Sequence, residues 1–274
     1  MHKLTAFVTL LAAAIISPLA SAKVTEAEKS ANAEAMERGR LLYRYDQAAW
    51  HSTDALMAAI RVDDYPDLRG WVVEPHAGDT LLVTYFAQRK GPRYAVLRYV
   101  VRGSTVIEGG LVPKGADTNL SPLANRLVDA RDAAAARFAK KRLGLCTEAN
   151  PNSIVLPPDE HDRIQAYIMS ASKTAGVFPL GGHYRFTIGA DGKVESWRPF
   201  LKSCMIIDTR PEGEMQQKTA FFVSHVLDSQ PTEIHYFARY NVPVDIAVMT
   251  TDGDIWMLGV DGFTNPKDSE IKLP

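Results

Sequence analysis

The sequence lacks an excess of basic residues and, beyond its first 22 residues, any long apolar run. It carries 31 Lys and Arg against 32 Asp and Glu, a formal charge of −1 at pH 7. Nucleic-acid-binding domains usually present a strongly positive surface, so this balance argues against a nucleic-acid partner. A membrane-spanning helix needs about 20 apolar residues, so we expect no transmembrane segment in the mature chain.

Signature motifs of common enzyme classes are also missing. The chain contains no H-E-x-x-H zinc motif, G-x-S-x-G elbow, Gly-rich phosphate loop or dinucleotide fingerprint. The sequence therefore predicts neither a metal nor a cofactor. Ser170 and Lys173 match the S-x-x-K spacing of serine–lysine acylases, in which the Lys takes the proton of the Ser. The S-D-N element of those enzymes is absent, so we interpret the match as a polar strand end.

The first 22 residues predict a cleavable signal peptide. Lys3 provides the positive start, the apolar run Leu4–Ile16 follows, and Pro18 interrupts it. Ala20 and Ala22 give the small-residue pattern that signal peptidase recognises. We expect cleavage after Ala22 and a mature protein that is periplasmic or secreted. The alternative, a membrane anchor, would need a longer apolar run.

Cysteine is scarce, with one residue at Cys146 and one at Cys204. Two thiols cannot form a four-cysteine zinc site. In an oxidising compartment a pair of cysteines is more often a disulfide than two free thiols. The sequence therefore predicts a Cys146–Cys204 disulfide, which fits the predicted export.

Hydrophobic periodicity divides the first half into helices and short strands. The pattern is helical over residues 23–60, with caps for a second helix at 51–54, and it becomes period two after residue 70. The predicted strands are 71–74, 80–88, 93–102 and 105–112. An Ala-rich helix follows over 122–143, with Pro122 at its first position and Gly144 at its end.

The second half is rich in predicted strands. A proline-containing loop over 146–162 separates the two halves, so we expect parts 23–145 and 146–264, which could form one continuous domain, and a loose tail over 265–274. The predicted strands are 163–170, 183–188, 193–201, 205–209, 221–227, 232–240, 244–250 and 255–260. Short turns favour antiparallel neighbours, so the predicted fold class is α+β with mainly antiparallel sheets.

One face of the predicted sheet forms the candidate ligand site. Because side chains alternate along a strand, polar residues of strand 232–240 share a face, and a second predicted strand carries a similar row. If the two rows lie together, they form a basic surface with an imidazole near neutrality. The alternative is the solvated face of an antiparallel sheet. The predicted ligand-binding residues are His183, Arg185, His235, Arg239 and Asp245.

These observations favour an exported binding protein without its own catalysis. Its partner would be an unidentified small anionic ligand, such as a peptide carboxylate, or an envelope protein. One alternative is a periplasmic hydrolase whose catalytic residues are scattered in the sequence. Another is an envelope assembly factor that binds partners by adding a strand to an exposed sheet edge.

Overall fold

The computed structural model describes residues 23–210 and 220–268. The predicted signal peptide, residues 1–22, lies outside the described residues, as do residues 211–219 and 269–274. In the two ranges that the structure describes, no helix is both long and apolar enough to cross a membrane. The chain forms an α+β fold with mainly antiparallel sheets, as the sequence predicts.

Three α-helices and fourteen strands make up the described fold. The helices are α1 (Glu26–Ala59), α2 (Pro122–Lys141) and α3 (Glu233–Asn241). The first sheet contains β1 (Leu68–Pro75), β2 (Leu81–Ala87), β3 (Tyr94–Arg102) and β4 (Thr105–Leu111). The second contains β5 (Asn152–Val155), β6 (Ile164–Met169), β8 (Tyr184–Ile188) and β9 (Val194–Pro199). A small pair joins β7 (Val177–Pro179) to β10 (Ile206–Asp208), and the last sheet contains β11 (Ala220–Ser224), β12 (Asp245–Met249), β13 (Ile255–Leu258) and β14 (Phe263–Thr264).

Local capping sets where the long helices begin. At the start of α1, the Glu28 amide donates to Thr25 Oγ1 (3.2 Å) and the Thr25 amide donates to Glu28 Oε2 (2.7 Å). This reciprocal box satisfies amides that have no partner within the helix. Ser121 Oγ accepts from the Ala124 amide (2.8 Å) at the start of α2.

The predicted break near residue 51 is wrong, because α1 continues to Ala59. Inside the helix, Ser52 Oγ and Thr53 Oγ1 donate to the Ala49 carbonyl at 3.1 and 2.7 Å. Both hydroxyls also contact Tyr85 Oη, so these residues bond inside the core instead of capping a new helix.

Two hydrophobic clusters connect the halves of the chain. In the first, α1 packs on one face of the first sheet and also on the second sheet, joining Leu42, Val83 and Tyr167. In the second, α2 lies between the first and second sheets and buries Leu127 with Phe186. Each cluster contains residues from both sides of the proposed boundary at 145/146.

The predicted strand over 232–240 is wrong, because these residues form α3. Strands β11 and β12 are parallel neighbours, and parallel neighbours need a crossover connection, which α3 provides. Residues 233–239 are all buried, since α3 packs between α1 and the last sheet. Gly39 of α1 permits the close approach: a Cβ there would lie 2.5 Å from Tyr236 Cβ.

Cys146 and Cys204 lie at disulfide distance, with their Cα atoms 5.4 Å apart. The pair joins the segment after α2 to the segment before β10, and it is compatible with an oxidising compartment. At the other end of the chain, Asn265 is buried and Pro266–Asp268 forms a short 3₁₀ helix. Lys267 forms an ion pair with Asp254, so the beginning of the predicted tail is held on the last sheet.

Candidate functional site

The structure places both predicted imidazoles inside the protein. His183 is buried, with Nε2 2.8 Å from the Pro179 carbonyl, and burial lowers its pKa to about 4. His235 is buried in α3, where its Nδ1 accepts from the Thr232 amide at 3.0 Å. Burial, with the nearby His225, lowers the pKa of His235 to about 3. Neither ring therefore offers a charged group to an open surface at neutral pH.

Arg239 and Asp245 are brought together, but they bind each other. Arg239 Nε and Nη2 lie 3.0 and 2.9 Å from Asp245 Oδ1, and Nη1 donates to the Val242 carbonyl at 2.9 Å. Arg239 is buried, so its guanidinium fixes the end of α3 against the start of β12. The expected shared face with His235 is not formed, because alternation along a strand does not apply to a helix.

Arg185 is the predicted site residue that lines an open groove. The groove has a volume of about 780 Å³ and lies between the polar side of α1 and the second sheet. The α1 wall consists of Glu34, Glu37, Arg38, Arg40, Leu41 and Arg44. The opposite wall consists of residues 156–159, Arg163, Gln165, Arg185, Thr187, Glu195 and Ser196.

A buried carboxylate fixes the guanidinium groups at one end of this groove. Glu233 Oε1 accepts from Arg185 Nη1 at 2.6 Å and from the Tyr167 hydroxyl at 3.0 Å. Arg38 Nη1 lies 3.8 Å from the same oxygen. The Glu233 side chain is 6% exposed, whereas that of Arg38 is 41% exposed. Two positive charges thus share one negative charge within this cluster, and Glu34, one helical turn before Arg38, also lines the groove.

Other charges along the groove are largely paired locally. Arg163 Nη2 lies 3.0 Å from Asp159 Oδ2, and Arg40 Nη1 lies 2.8 Å from Glu37 Oε1. Arg44 donates instead to a neutral group, the Asp79 carbonyl, at 3.2 Å. Among the residues of 23–210 and 220–268, no ion pair to Arg44 is formed. Glu34 and Glu195 line the groove as well, so its five arginines face four lining carboxylates and Glu233, and the positive excess is local to Arg38 and Arg185.

A second charged network lies beside α3, and its members bond to one another. Arg198 Nη1 and Nη2 contact the two Asp228 oxygens at 2.9 and 2.5 Å, and His225 Nε2 lies 2.7 Å from Asp228 Oδ2. Burial raises the pKa of Asp228, but the hydrogen bonds from His225 and Arg198 outweigh burial and leave that pKa well below its usual value. The His225 ring packs edge-on against His235, with centroids 4.6 Å apart.

The S-x-x-K match has a structural explanation. Ser170 is buried, and its hydroxyl accepts from the Cys146 amide at 2.8 Å and donates to the Gly182 carbonyl at 3.2 Å. These bonds tie the strand end to the segment that carries the disulfide. The hydroxyl is therefore occupied by the backbone on both sides, as expected for a polar strand end.

The structure also gathers acidic residues that sequence spacing did not reveal. Ligand atoms of Glu28, Asp252 and Asp254 lie within 4.8 Å of one another. Glu28 is already bound in the cap of α1, and Lys267 pairs with Asp254. The cluster is thus accounted for by capping and by attachment of the segment after β14.

Sequence reasoning missed Arg38 and Arg44 because α1 was interpreted only as a packing helix. The available signal was three-residue spacing of Arg38, Leu41 and Arg44, which places these residues near one another on a helix. Pairing that helix face with Arg185 requires the tertiary fold. No protein-family model matches the chain, and no curated protein is detectably similar to it in sequence.

Proposed function

We propose that this protein is an exported binding protein without its own catalysis, and that the groove between α1 and the second sheet binds a small carboxylate ligand. The observation that carries the proposal is the convergence of Arg38 and Arg185 on one carboxylate of Glu233. The cluster of Arg38, Arg185 and Glu233 contains two positive charges and one negative charge. The carboxylate of a ligand would supply the second negative charge.

Guanidinium chemistry explains why a carboxylate is the favoured ligand group. The planar fork of an arginine matches two carboxylate oxygens, and such charge-assisted bonds are stronger than neutral ones. Arg185 is held by Glu233 and lies above the Phe200 ring, 5.9 Å from its centroid. A side chain fixed before binding loses less rotamer entropy when the ligand arrives. Arg38 is exposed enough to contact the ligand directly.

Two observations support the exported part of the proposal. The N-terminal pattern ending at Ala22 is typical of a signal peptide, and Cys146 and Cys204 lie at disulfide distance. N-terminal sequencing of the protein recovered from a periplasmic fraction should begin at Lys23. A chain recovered only from the cytoplasm, and beginning at Met1, would contradict export.

The binding test compares N-acetylated dipeptides that end in a free carboxylate with the same peptides ending in an amide. We expect calorimetric titration to detect the carboxylates and to show at least tenfold weaker binding of the amides. Arg38→Ala should weaken carboxylate binding about tenfold, because a charge-assisted bond contributes roughly 1.5 kcal/mol or more. Lys140→Ala, which removes an exposed cation from α2 outside the groove, serves as the matched control.

Two outcomes would count against this site. Equal affinity for the carboxylate and amide peptides would remove the charge argument. Equal loss in Arg38→Ala and Lys140→Ala would show that binding follows the general charge of the protein and not the groove.

The edge of the first sheet favours a second candidate function, envelope assembly by strand addition. Strand β4 pairs with β3 on one side, and no described strand pairs with its other side. Helix α1 packs against β4, but most of the strand is exposed, including Ile107 and Leu111. An open edge with apolar side chains is the type of surface that accepts a partner strand.

Photo-crosslinking in intact cells tests this second candidate. A photoreactive residue at Ile107 should give a discrete adduct, and Val106→Pro should abolish it by removing a backbone donor from the edge strand. The matched control is the same photoreactive residue at Val260, an exposed apolar position in the turn between β13 and β14. Similar adducts at both positions would exclude specific strand addition at β4.

A further inference from the structure

We infer that a second cleft, separate from the arginine groove, binds the ring of a neutral saccharide. The cleft has a volume of about 490 Å³ and lies between α1, the end of α3 and the loop that connects β6 to β7. Its key residues are Asp46 and Trp50 of α1 and Asn152 of β5. None of these residues lines the arginine groove, so the inference stands independently of the proposed carboxylate site.

The first observation is a fixed carboxylate–amide pair in the wall of the cleft. Asn152 Nδ2 donates to Asp46 Oδ1 at 2.5 Å, joining two residues from distant parts of the chain. Burial raises the pKa of Asp46 to about 6, against the opposing effect of its hydrogen bond with Asn152. The carboxyl is therefore mostly ionised at neutral pH and acts as an acceptor. A carboxylate beside an amide offers adjacent acceptor and donor capacity, which suits neighbouring hydroxyl groups.

The second observation is an exposed indole beside this pair. Trp50 is 57% exposed, a large fraction for an apolar ring. One of its faces stacks on His51, with centroids 5.3 Å apart and planes inclined by 12°. The stack orients the indole, while more than half of the side chain stays exposed at the edge of the cleft. A large, amphipathic and rigid ring contributes contact area at low cost in conformational entropy.

The remaining walls combine apolar surface with small polar groups. Phe178 and Phe237 lie in the cleft with their ring centroids 5.8 Å apart. Ser172, Thr174 and Thr209 supply hydroxyl groups along the loop side. A sugar ring has the matching composition, because its C–H groups pack on apolar surfaces while its hydroxyls both donate and accept.

Charge separates a saccharide from other ligands of similar size. Asp46 and Lys173, which both line the cleft, carry opposite charges. The two charges balance, so the lining gives no net preference for an anion or a cation, and a neutral ligand fits this balance. The apolar walls together with a few fixed polar groups are the usual composition of a small-molecule site.

Intrinsic fluorescence tests the inference, because Trp50 is the exposed indole of the site. The probes are maltotriose, cellotriose and tri-N-acetylchitotriose, titrated into the mature protein. We expect at least one of them to give a saturable blue shift of emission. Asp46→Asn should weaken binding at least tenfold, as should Asn152→Ala. Asp54→Asn, an exposed acid on the same helix outside the cleft, should bind as the unaltered protein does.

Trp50→Ala provides a second readout that does not depend on a buried group. Its exposed position should leave the melting temperature nearly unchanged, while the fluorescence response disappears and calorimetric affinity falls at least tenfold. The inference is overturned if none of the three saccharides binds. It is equally overturned if Asp46→Asn and Trp50→Ala, both folded by thermal melting, bind the sugar as tightly as Asp54→Asn. Binding of tetramethylammonium instead of a sugar would assign the cleft to a cation.

Discussion

Replacing Gly39 by alanine tests the contact between α1 and α3, which positions Glu233 beside the arginine groove. A Cβ at this position would lie 2.5 Å from Tyr236 Cβ, 2.8 Å from the Glu233 carbonyl oxygen and 3.0 Å from the Phe237 amide nitrogen. Two of these three neighbours are backbone atoms of α3. They can move only if the whole helix shifts away from α1.

Two opposing effects decide the sign of the change in stability. In a helix interior, Gly→Ala contributes about 1 kcal/mol of favourable helix propensity. Inserting a methyl group into a well-packed contact costs about 1–3 kcal/mol, and backbone neighbours place this case near the upper end. We therefore expect Gly39→Ala to lower the free energy of unfolding by about 1–2 kcal/mol. For a protein of this size, such a loss lowers the melting temperature by about 2–8 °C.

The assay is urea unfolding followed by circular dichroism, paired with calorimetric titration of the groove ligand. Ser30→Ala is the control, because Ser30 is an exposed residue of the same helix and the change raises helix propensity without a new contact. Ser30→Ala should be neutral or slightly stabilising. Gly39→Ala should also weaken carboxylate binding, because a displaced α3 moves Glu233 relative to Arg38 and Arg185.

A Gly39→Ala free energy of unfolding about 1 kcal/mol higher than that of the unaltered protein would contradict this prediction. Propensity alone would then determine the outcome, and the helices would have to be further apart than the structure places them. Loss of stability with unchanged carboxylate binding would separate the two claims: the helix contact would stand, and the role of α3 in shaping the groove would not.

Three further predictions concern buried groups. Reducing the Cys146–Cys204 pair should lower the free energy of unfolding by about 4 kcal/mol, the value that loop-closure entropy gives. Urea unfolding with and without dithiothreitol measures this, and an unchanged midpoint would contradict a stabilising bridge. Glu233→Gln should lower the free energy of unfolding by about 3 kcal/mol, because two arginines lose a buried charged partner. Urea unfolding measures the loss, and a loss below about 1 kcal/mol would contradict the prediction. His183 and His235 have folded pKa values of about 4 and 3, below the ordinary 6.5, so the stability they contribute is complete above pH 6.5 and declines as pH falls toward those values. His183→Gln should reduce the slope of stability against pH between 4.5 and 6 by about 1.4 kcal/mol per pH unit, and an unchanged slope would contradict a buried neutral imidazole.

The first sheet and α2 were predictable because their signals are local. Strands β2, β3 and β4 alternate between apolar and polar residues or lie between clear turn residues, and each pairs with its neighbour in sequence. The cap at Ser121 and the proline after it determine where α2 begins without help from distant residues. The Cys146–Cys204 pairing was predictable for a different reason, since two cysteines allow one intramolecular bridge.

The segment 232–240 shows where local patterns fail. Alternating polar and apolar residues predict a strand with one wet face, but in the structure residues 233–239 are buried on all sides. A helix packed between two layers needs no polar face, so alternation carries no information about it. The parallel pairing of β11 with β12, which requires a crossover between them, depends on register and cannot be read from a nearby turn.

The candidate site illustrates the same distinction for single residues. Arg185 was identified from the polar row on its strand, and it does line an open groove. His235 and Arg239 were grouped with it by strand alternation, but α3 directs them into the interior. Arg38 comes from a helix about 150 positions earlier in the chain, and no spacing rule connects it with Arg185.

The sequence alone determined the fold class, most of the antiparallel strands, helix α2, the helical character of residues 23–60 and the cysteine pair, because each depends on periodicity, capping or counting over short stretches. That α1 continues unbroken through residue 51 was decided by the core contacts of Ser52 and Thr53. Tertiary structure decided which charges meet. Two arginines share Glu233 only because α3 packs against α1 at Gly39, and Asp46 meets Asn152 only because α1 lies beside β5. Such contacts join residues far apart in the chain, and their energies depend on burial that only the packed fold creates.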